Sequence, residues 1–276
     1  MPDVSPAIDL DAYLARIGYG GPREPSAAVL HALHFHHVLA VPFENLDVLL
    51  GRTIALDLPA LEQKIVHQRR GGYCYEQNTL FAAVLRKLGF RVATLIARVR
   101  WQAPPERATP RTHMVLRVEA GGRAWLADVG FGSVGLTAPI ALDRGDAEQP
   151  TPHEPRRLVA RGDYLVHQVR IADEWLDVFQ FTPDEVPAID YEVANWFSNK
   201  NPQSHFLRNL IVARAQPDGR RVLLANRELT ERARDGAAAH RVVADPDELL
   251  MLLGTHFGLH FPSTTRFGPP GSPWPT

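Results

Sequence analysis

Cys74 is the single cysteine of this 276-residue chain, and its surroundings are those in which a thiol becomes reactive. It lies in Arg69-Arg70-Gly71-Gly72-Tyr73-Cys74-Tyr75-Glu76-Gln77-Asn78. Beyond it, Leu80, Phe81, Val84, Leu85 and Leu88 recur at helical spacing and Gly89 follows as a C′ glycine. That pattern predicts a helix opening at the cysteine. The partial positive charge at a helix N-terminus favours the thiolate, which is the attacking form. Gly71 and Gly72 give the chain the freedom to reach that point and let a substrate approach closely. Taken alone, one cysteine reads equally well as a small buried hydrophobe. It becomes a nucleophile only where a base, and a group orienting that base, are brought to it.

A hairpin supplies both. Residues 112–119 and 123–129 flank Gly121-Gly122, a strong turn signal. Closing there pairs Ala120 with Arg123 and, further out, sets Val115 opposite Asp128. His113 then shares a sheet face with Asp128 and lies diagonal to it, roughly 7–8 Å away at the backbone, which an imidazole and a carboxylate can bridge. A slip of one residue puts them on opposite faces. Each has a plain reading: His113 as a strand histidine with a satisfied hydrogen bond, Asp128 as a carboxylate capping a turn. Yet Trp125, Leu126, Ala127, Val129 and Phe131 surround Asp128, and a buried carboxylate requires a partner. His113 is the nearest. Cys74, His113 and Asp128 together are the parts of a nucleophilic acyl-transfer site.

The elements that must position them follow the chain. The first ninety residues read as helical: 10–17 capped by Asp9 and closed by Gly18, 26–40 stopped ahead of Pro42, and 58–68 with Pro59 in its first turn, then the Cys74 helix. From Phe90 the pattern turns to strands: 91–101, the hairpin, 164–171 and 175–181, with a proline-rich loop at 102–111. A short helix at 190–197 leads into a Ser198-Asn199-Lys200-Asn201-Pro202 loop. A hairpin of 206–213 and 220–225 turns about Pro217-Asp218-Gly219, and a last helix runs over 245–256. The tail from Phe261, rich in Pro, Gly and Ser, is ordered only where it docks. The His34-Phe35-His36-His37 cluster lacks the spacing of a zinc helix and reads as part polar face, part packing.

Composition narrows the function classes. Apolar residues make up 45% and charged residues 22%, with a net charge of −1, so no global field recruits nucleic acid or an anionic membrane. The pairs Arg69-Arg70, Arg156-Arg157 and Arg220-Arg221 read as solvated or structural. One cysteine excludes an intramolecular disulfide and a cysteine-rich metal site. No signal peptide and no transmembrane stretch is recognised, so the cytoplasm is the default.

Five motifs, in order, carry a resemblance to the arylamine N-acetyltransferases: Pro42-Phe43-Glu44-Asn45-Leu46, Arg70 to Asn78, Thr112-His113-Met114-Val115-Leu116, Asp128-Val129-Gly130-Phe131-Gly132, and 190–197 with Pro202-Gln203-Ser204-His205-Phe206. The resemblance covers most of the chain. It implies an α+β, cysteine-proteinase-like fold: a helical bundle (1–89) carrying Cys74, a β-barrel-like domain (90–189) carrying His113 and Asp128, and an α/β lid (190–276). It implies ping-pong transfer from acetyl-CoA, a co-substrate rather than a resident cofactor, through a Cys74 thioester to an arylamine or hydrazine, with no metal, nucleic acid or membrane partner. It further places Phe43, Thr112, Phe131, Gly132, Trp196 and Ser204 beside substrate or CoA, with backbone N–H groups at the start of the Cys74 helix as an oxyanion hole. Phe43 and Phe131 read equally as core, and Glu44 and Asn45 as structural support. Ser198-Asn199-Lys200-Asn201 is bulkier than the small hydroxyl residues that often precede this proline in the family, although Lys200 could meet a phosphate. A thiol hydrolase, a carrier-dependent amide synthase of the same fold and a non-catalytic binding module are the alternatives.

Overall fold

The computed structural model describes residues 8–268. The helices begin and end where their caps dictate. α1 (Leu10–Ile17) starts under the Asp9 carboxylate, which accepts from Ala12 N, and stops at Gly18 in the left-handed region. α2 (Ala27–Ala40) is capped by Ser26 Oγ, which accepts from Val29 N. A two-residue strand β1 (Phe43–Glu44) and a single helical turn α3 (Leu46–Leu49) follow. α4 (Leu58–Leu61), capped by Asp57, runs on as a wider π-type stretch, Glu62–His67. α5 (Cys74–Lys87) completes the set with Cys74 at its first position.

Strands then build one seven-stranded antiparallel sheet in the order β5-β4-β3-β2-β8-β7-β6. They are β2 (Arg91–Val99), β3 (Arg111–Ala120), β4 (Arg123–Ala127), β5 (Ile140–Ala141), β6 (Arg156–Arg161), β7 (Tyr164–Ile171) and β8 (Glu174–Phe181). The sheet curls until its outer strands nearly meet, and Gln149 bridges the gap. Its backbone exchanges hydrogen bonds with Arg156 of β6, and its side-chain amide does the same with Ala141 of β5. A barrel closed this way has no free edge at that seam. Both faces of β3 are buried: Val115 points into the barrel core with Leu95, Leu126 and Phe179, while Met114, Leu116 and Val118 pack against the helices. His113 shares the inward face.

The remainder forms α6 (Ala188–Lys200), the strands β9 (Ile211–Ala215), β10 (Arg221–Ala225), β11 (Glu228–Arg232) and β12 (Ala238–Val242), and α7 (Pro246–Phe257). β1 joins this second sheet by pairing Phe43 with Ala213 of β9, and α7 covers a core of Leu210, Val212, Leu224, Leu249 and Leu253. The loop expected at Ser198-Asn199-Lys200 is corrected here, and three strands are added. The 190–197 helix runs to Lys200, so Ser198 and Asn199 are helical and buried; their polar groups bond back to Ala194 O and Asn195 O. β6, β11 and β12 carry no alternation legible in sequence. In the histidine cluster His34 and His37 are wholly buried and His36 is half-buried.

The arginine pairs turn out to be structural, each holding one buried guanidinium. Arg70 forks onto Glu44 at 2.7 and 2.8 Å and reaches Asp47 at 3.2 Å. Lys64 joins Asp47 to Glu76, both at 2.7 Å, and Glu76 in turn accepts from Tyr73 N at 3.0 Å. The network ties β1 to the loop that delivers Cys74. Phe261 lies under the Arg70 guanidinium at 4.7 Å and Phe267 is buried, so the tail docks here as far as it is described. Arg70→Met leaves the fully buried Glu44 without its cation, and the expected loss is about 3–5 kcal/mol, read as a lower urea midpoint.

Candidate active site

The β3–β4 hairpin closes in the expected register, Ala120 opposite Arg123, and the ladder runs out to Leu116 opposite Ala127. Asp128 is the next residue. His113 Nε2 lies 2.7 Å from Asp128 Oδ2, and the two residues are 3% and 0% exposed. With Nε2 donating to the carboxylate, Nδ1 is the ring nitrogen left for the thiol. Cys74 opens α5 at 4% exposure, its Sγ 3.8 Å from the carbonyl oxygen of Thr112, the residue before the histidine. The structure thus brings the three residues into one buried cluster.

The charges are set by competition. Burial by itself expels the proton from His113. The Asp128 carboxylate outweighs it, with help from the contacts to Cys74, and the imidazole is pushed up to about 10. Burial likewise opposes the Asp128 charge, but His113, the Asn78 amide and the Gly130 N–H hold its carboxyl below the usual range. At neutral pH the pair is imidazolium and carboxylate, so a neighbouring thiolate has a cation to face.

The residues that hold Asp128 were missed from sequence. Asn78 sits one turn beyond Cys74 on the same helix face. Its Nδ2 donates to Asp128 Oδ1 (2.9 Å) and Met114 O (2.8 Å), while its Oδ1 accepts from Val129 N (3.0 Å). The i, i+4 spacing from the cysteine was the available signal. From α2, His34 Nε2 accepts the Asp128 N–H at 3.2 Å, and burial drives that imidazole down to about 3, so it is neutral and free to accept. His37, also driven by burial to about 3, bonds Tyr13 and Gln77. Gln77 in turn donates to Gly72 O at 2.6 Å.

The glycines answer to the protein's own packing. A Cβ on Gly71 would lie 2.0 Å from Pro42 O, and one on Gly72 would meet the Glu76 side chain at 2.7 Å. Both glycines are therefore required by close approach to neighbouring protein atoms. At Gly130 the added Cβ would stand 2.6 Å from Cys74 Cα. Gly130→Ala must push the 128–130 loop off α5; we expect a cost of about 1–3 kcal/mol and a slower alkylation of Cys74 by iodoacetamide, both measurable against the parent.

The remaining predicted site residues divide. Phe131 meets His113 edge-on at 5.0 Å, and Phe179 lies tilted against it at 5.1 Å. Phe43 is buried, 6.0 Å from the Phe206 ring, and packs on Gly132, whose backbone has φ +93. Phe43, Phe131 and Gly132 border a space of about 20 Å³. Thr112 contributes its carbonyl beside the thiol. Ser204 is buried, donating to Ser198 O and capping a short 3-10 turn, His205–Leu207. Trp196, 59% exposed, lines a separate cavity of about 960 Å³ with Lys200; none of the three reactive residues lines it. That cavity nonetheless borders the loop carrying the thiol, because Asn195 in its wall bonds the Tyr73 hydroxyl. Among the described residues there is no group of His, Cys, Asp or Glu that could hold a metal, and no helix long and apolar enough to cross a membrane.

Comparison with known proteins gives the family. An N-acetyltransferase family model matches residues 26–266. The arylamine N-acetyltransferase of Escherichia coli (strain K12) is 43% identical over 250 residues, 91% of this chain and 88% of that one. The structure of arylamine N-acetyltransferase from Salmonella typhimurium superposes with a TM-score of 0.87 at 39% identity, covering 92% of this chain and 94% of the other. That of Mycobacterium marinum arylamine N-acetyltransferase in complex with CoA gives 0.87 at 41%, covering 91% and 92%.

Proposed function

This chain belongs to the arylamine N-acetyltransferase family and N-acetylates arylamines with acetyl-CoA as co-substrate; we propose that it does so through a thioester on Cys74, with His113 and Asp128 as its partners. The observation that carries the reading is the 2.7 Å bond between His113 Nε2 and Asp128 Oδ2, beside a thiol at the first position of a helix.

The Cys74 thiolate attacks the thioester carbonyl of acetyl-CoA. The bond from that carbon to the CoA sulfur breaks, and the departing sulfur takes the proton of the His113 imidazolium. CoA leaves as the thiol, with acetyl-Cys74 and a neutral imidazole behind. The amine nitrogen then attacks the acetyl carbon, His113 takes the proton that nitrogen sheds, and the Cys74 sulfur departs as thiolate. The resting ion pair is restored. Donor and intermediate are both thioesters, so the first transfer runs at little free-energy cost. The N–H groups of the first turn of α5 lack partners within the helix and suit the oxyanion.

Phe131, edge-on to the imidazole, and Phe43 offer aromatic walls to a flat amine. The space beside them holds about one water, so an aryl ring enters by displacing these side chains. We assign the reaction to the cytoplasm, where a lone thiol stays reduced. The test is the intact mass after brief mixing with acetyl-CoA and no amine. One acetyl group should appear on Cys74 and be discharged by an added arylhydrazine. Quantitative alkylation of Cys74 with no acetyl uptake would sink the thioester.

A further inference from the structure

Three arginines converge on a cavity that no aspartate or glutamate lines. The cavity, about 410 Å³, is bordered by Arg16, Arg69, Arg214 and His36. α1, α2 and α7 all end at it, with Ile17, Ala40 and Phe257 in its wall. Arg16 forms the floor: Nε donates to Ile65 O at 2.9 Å, Nη1 to Ala40 O at 2.9 Å, and Nη2 to the carbonyls of Arg69 and Arg70 at 3.3 and 3.4 Å. Arg214, half-buried on β9, donates through Nε to Leu39 O at 2.7 Å. Arg69 is exposed at the rim, its backbone held at φ 54 with its carbonyl in the grip of Arg16. A left-handed conformation at a non-glycine residue persists only where the surroundings impose it.

The plain explanation is that the arginines face three helix C-termini, and their hydrogen bonds to Ala40 O and Leu39 O cap one of them, that of α2. The charges do not balance, however. A helix C-terminus carries about half a negative charge, so three of them offset about half of three guanidinium charges. Burial and the like charges of Arg69 and Arg214 accordingly pull Arg16 down to about 10. The cavity keeps a surplus of about one and a half positive charges, in a molecule whose net charge is −1.

We propose that this cavity binds a small oxyanion of the phosphate class, either free or as the end group of a larger molecule, held by Arg69 and Arg214 above the fixed charge of Arg16. The planar forks of two arginines match the oxygen spacing of a phosphate. The site is separate from the reactive cluster, and its assignment does not depend on the acetyl-transfer reading.

The test is titration calorimetry and thermal unfolding in sodium phosphate against sodium chloride at matched ionic strength. Phosphate should raise the midpoint and give a saturable one-site isotherm where chloride does neither. Arg69→Gln should weaken phosphate binding about tenfold or more, and Arg69→Gln with Arg214→Gln should abolish it. Arg214 also ties down Leu39 O, so if the double variant is unfolded the exposed Arg69 variant alone decides. Glycerol phosphate binding more tightly than inorganic phosphate would identify the end of a larger molecule; equal affinity would identify a free anion. Phosphate acting no differently from chloride, or binding Arg69→Gln as tightly as the parent, overturns the proposal.

Discussion

Cys74→Ser takes up no acetyl group from acetyl-CoA, and its arylamine turnover falls by about 10⁴-fold or more, while its circular dichroism and unfolding midpoint stay near those of the parent. Serine is nearly isosteric, and the Cys74 thiol makes only weak polar contacts, with Thr112 O at 3.8 Å and with His113, so packing barely changes. The chemistry changes completely. His113, held by Asp128 at about 10, is already protonated at neutral pH and cannot act as base toward an alcohol. A thiol beside this imidazolium can lose its proton to solvent and rest as thiolate; a hydroxyl, far less acidic, cannot. The triad is therefore tuned for sulfur. Intact mass after mixing with acetyl-CoA, and turnover of an arylamine, measure the two effects. Acetylation of the serine variant at the parental rate would remove Cys74 from the mechanism.

The parts of this site legible in sequence are those set by local rules. Caps at Asp9, Ser26 and Asp245 mark helix starts because a short polar side chain there satisfies a free N–H. The Gly121-Gly122 turn sets the register of β3 on β4, and the register brings His113 within reach of Asp128. What stayed hidden depends on contacts distant in sequence. β6 begins with Arg156, wholly buried, and a strand opening on an arginine pair shows no apolar face. Its Nη groups donate to Val134 O, Gly135 O and Glu154, none of which sequence reveals as partners. β12 is exposed at every residue and so carries no alternation. Ser198 and Asn199 favour a turn by propensity, yet continue α6 because Asn199 reaches both Asn195 O and the Tyr73 hydroxyl. Nothing in the sequence marks His34 as the acceptor for the Asp128 N–H, a role that exists only once α2 packs on the hairpin.

Asp128→Asn separates positioning from mere burial, and its signature lies in the pH profile. Asp128 Oδ1 accepts from Asn78 and Gly130, both at 2.9 Å, so the asparagine oxygen must take that place. Its NH₂ then faces His113 Nε2, which is forced to accept. The imidazole proton moves to Nδ1, leaving no lone pair there to draw the proton from the thiol, and the carboxylate that stabilised the cation is gone. Loss of turnover of about 10⁴-fold is expected. The direction of the titration follows from the same balance. In the parent, the folded value of about 10 for His113 stands above the ordinary 6.5, so the pair's contribution to stability is complete below 6.5 and is lost as pH rises through about 10. Asp128 is held below its ordinary 3.8, so its contribution is present above 3.8 and is lost as pH falls through the lower, folded value. In the variant the carboxylate no longer opposes burial and only the contacts to Cys74 do, so the His113 value falls and the pair no longer loses stability near pH 10. The alkaline limb of acetyl uptake moves from near pH 10 to lower pH. Stopped-flow acetylation and urea unfolding across pH 4–10.5 read the alkaline limb in parent and variant. A variant that loses activity yet keeps its alkaline limb near pH 10 would show that something other than Asp128 holds the proton on His113.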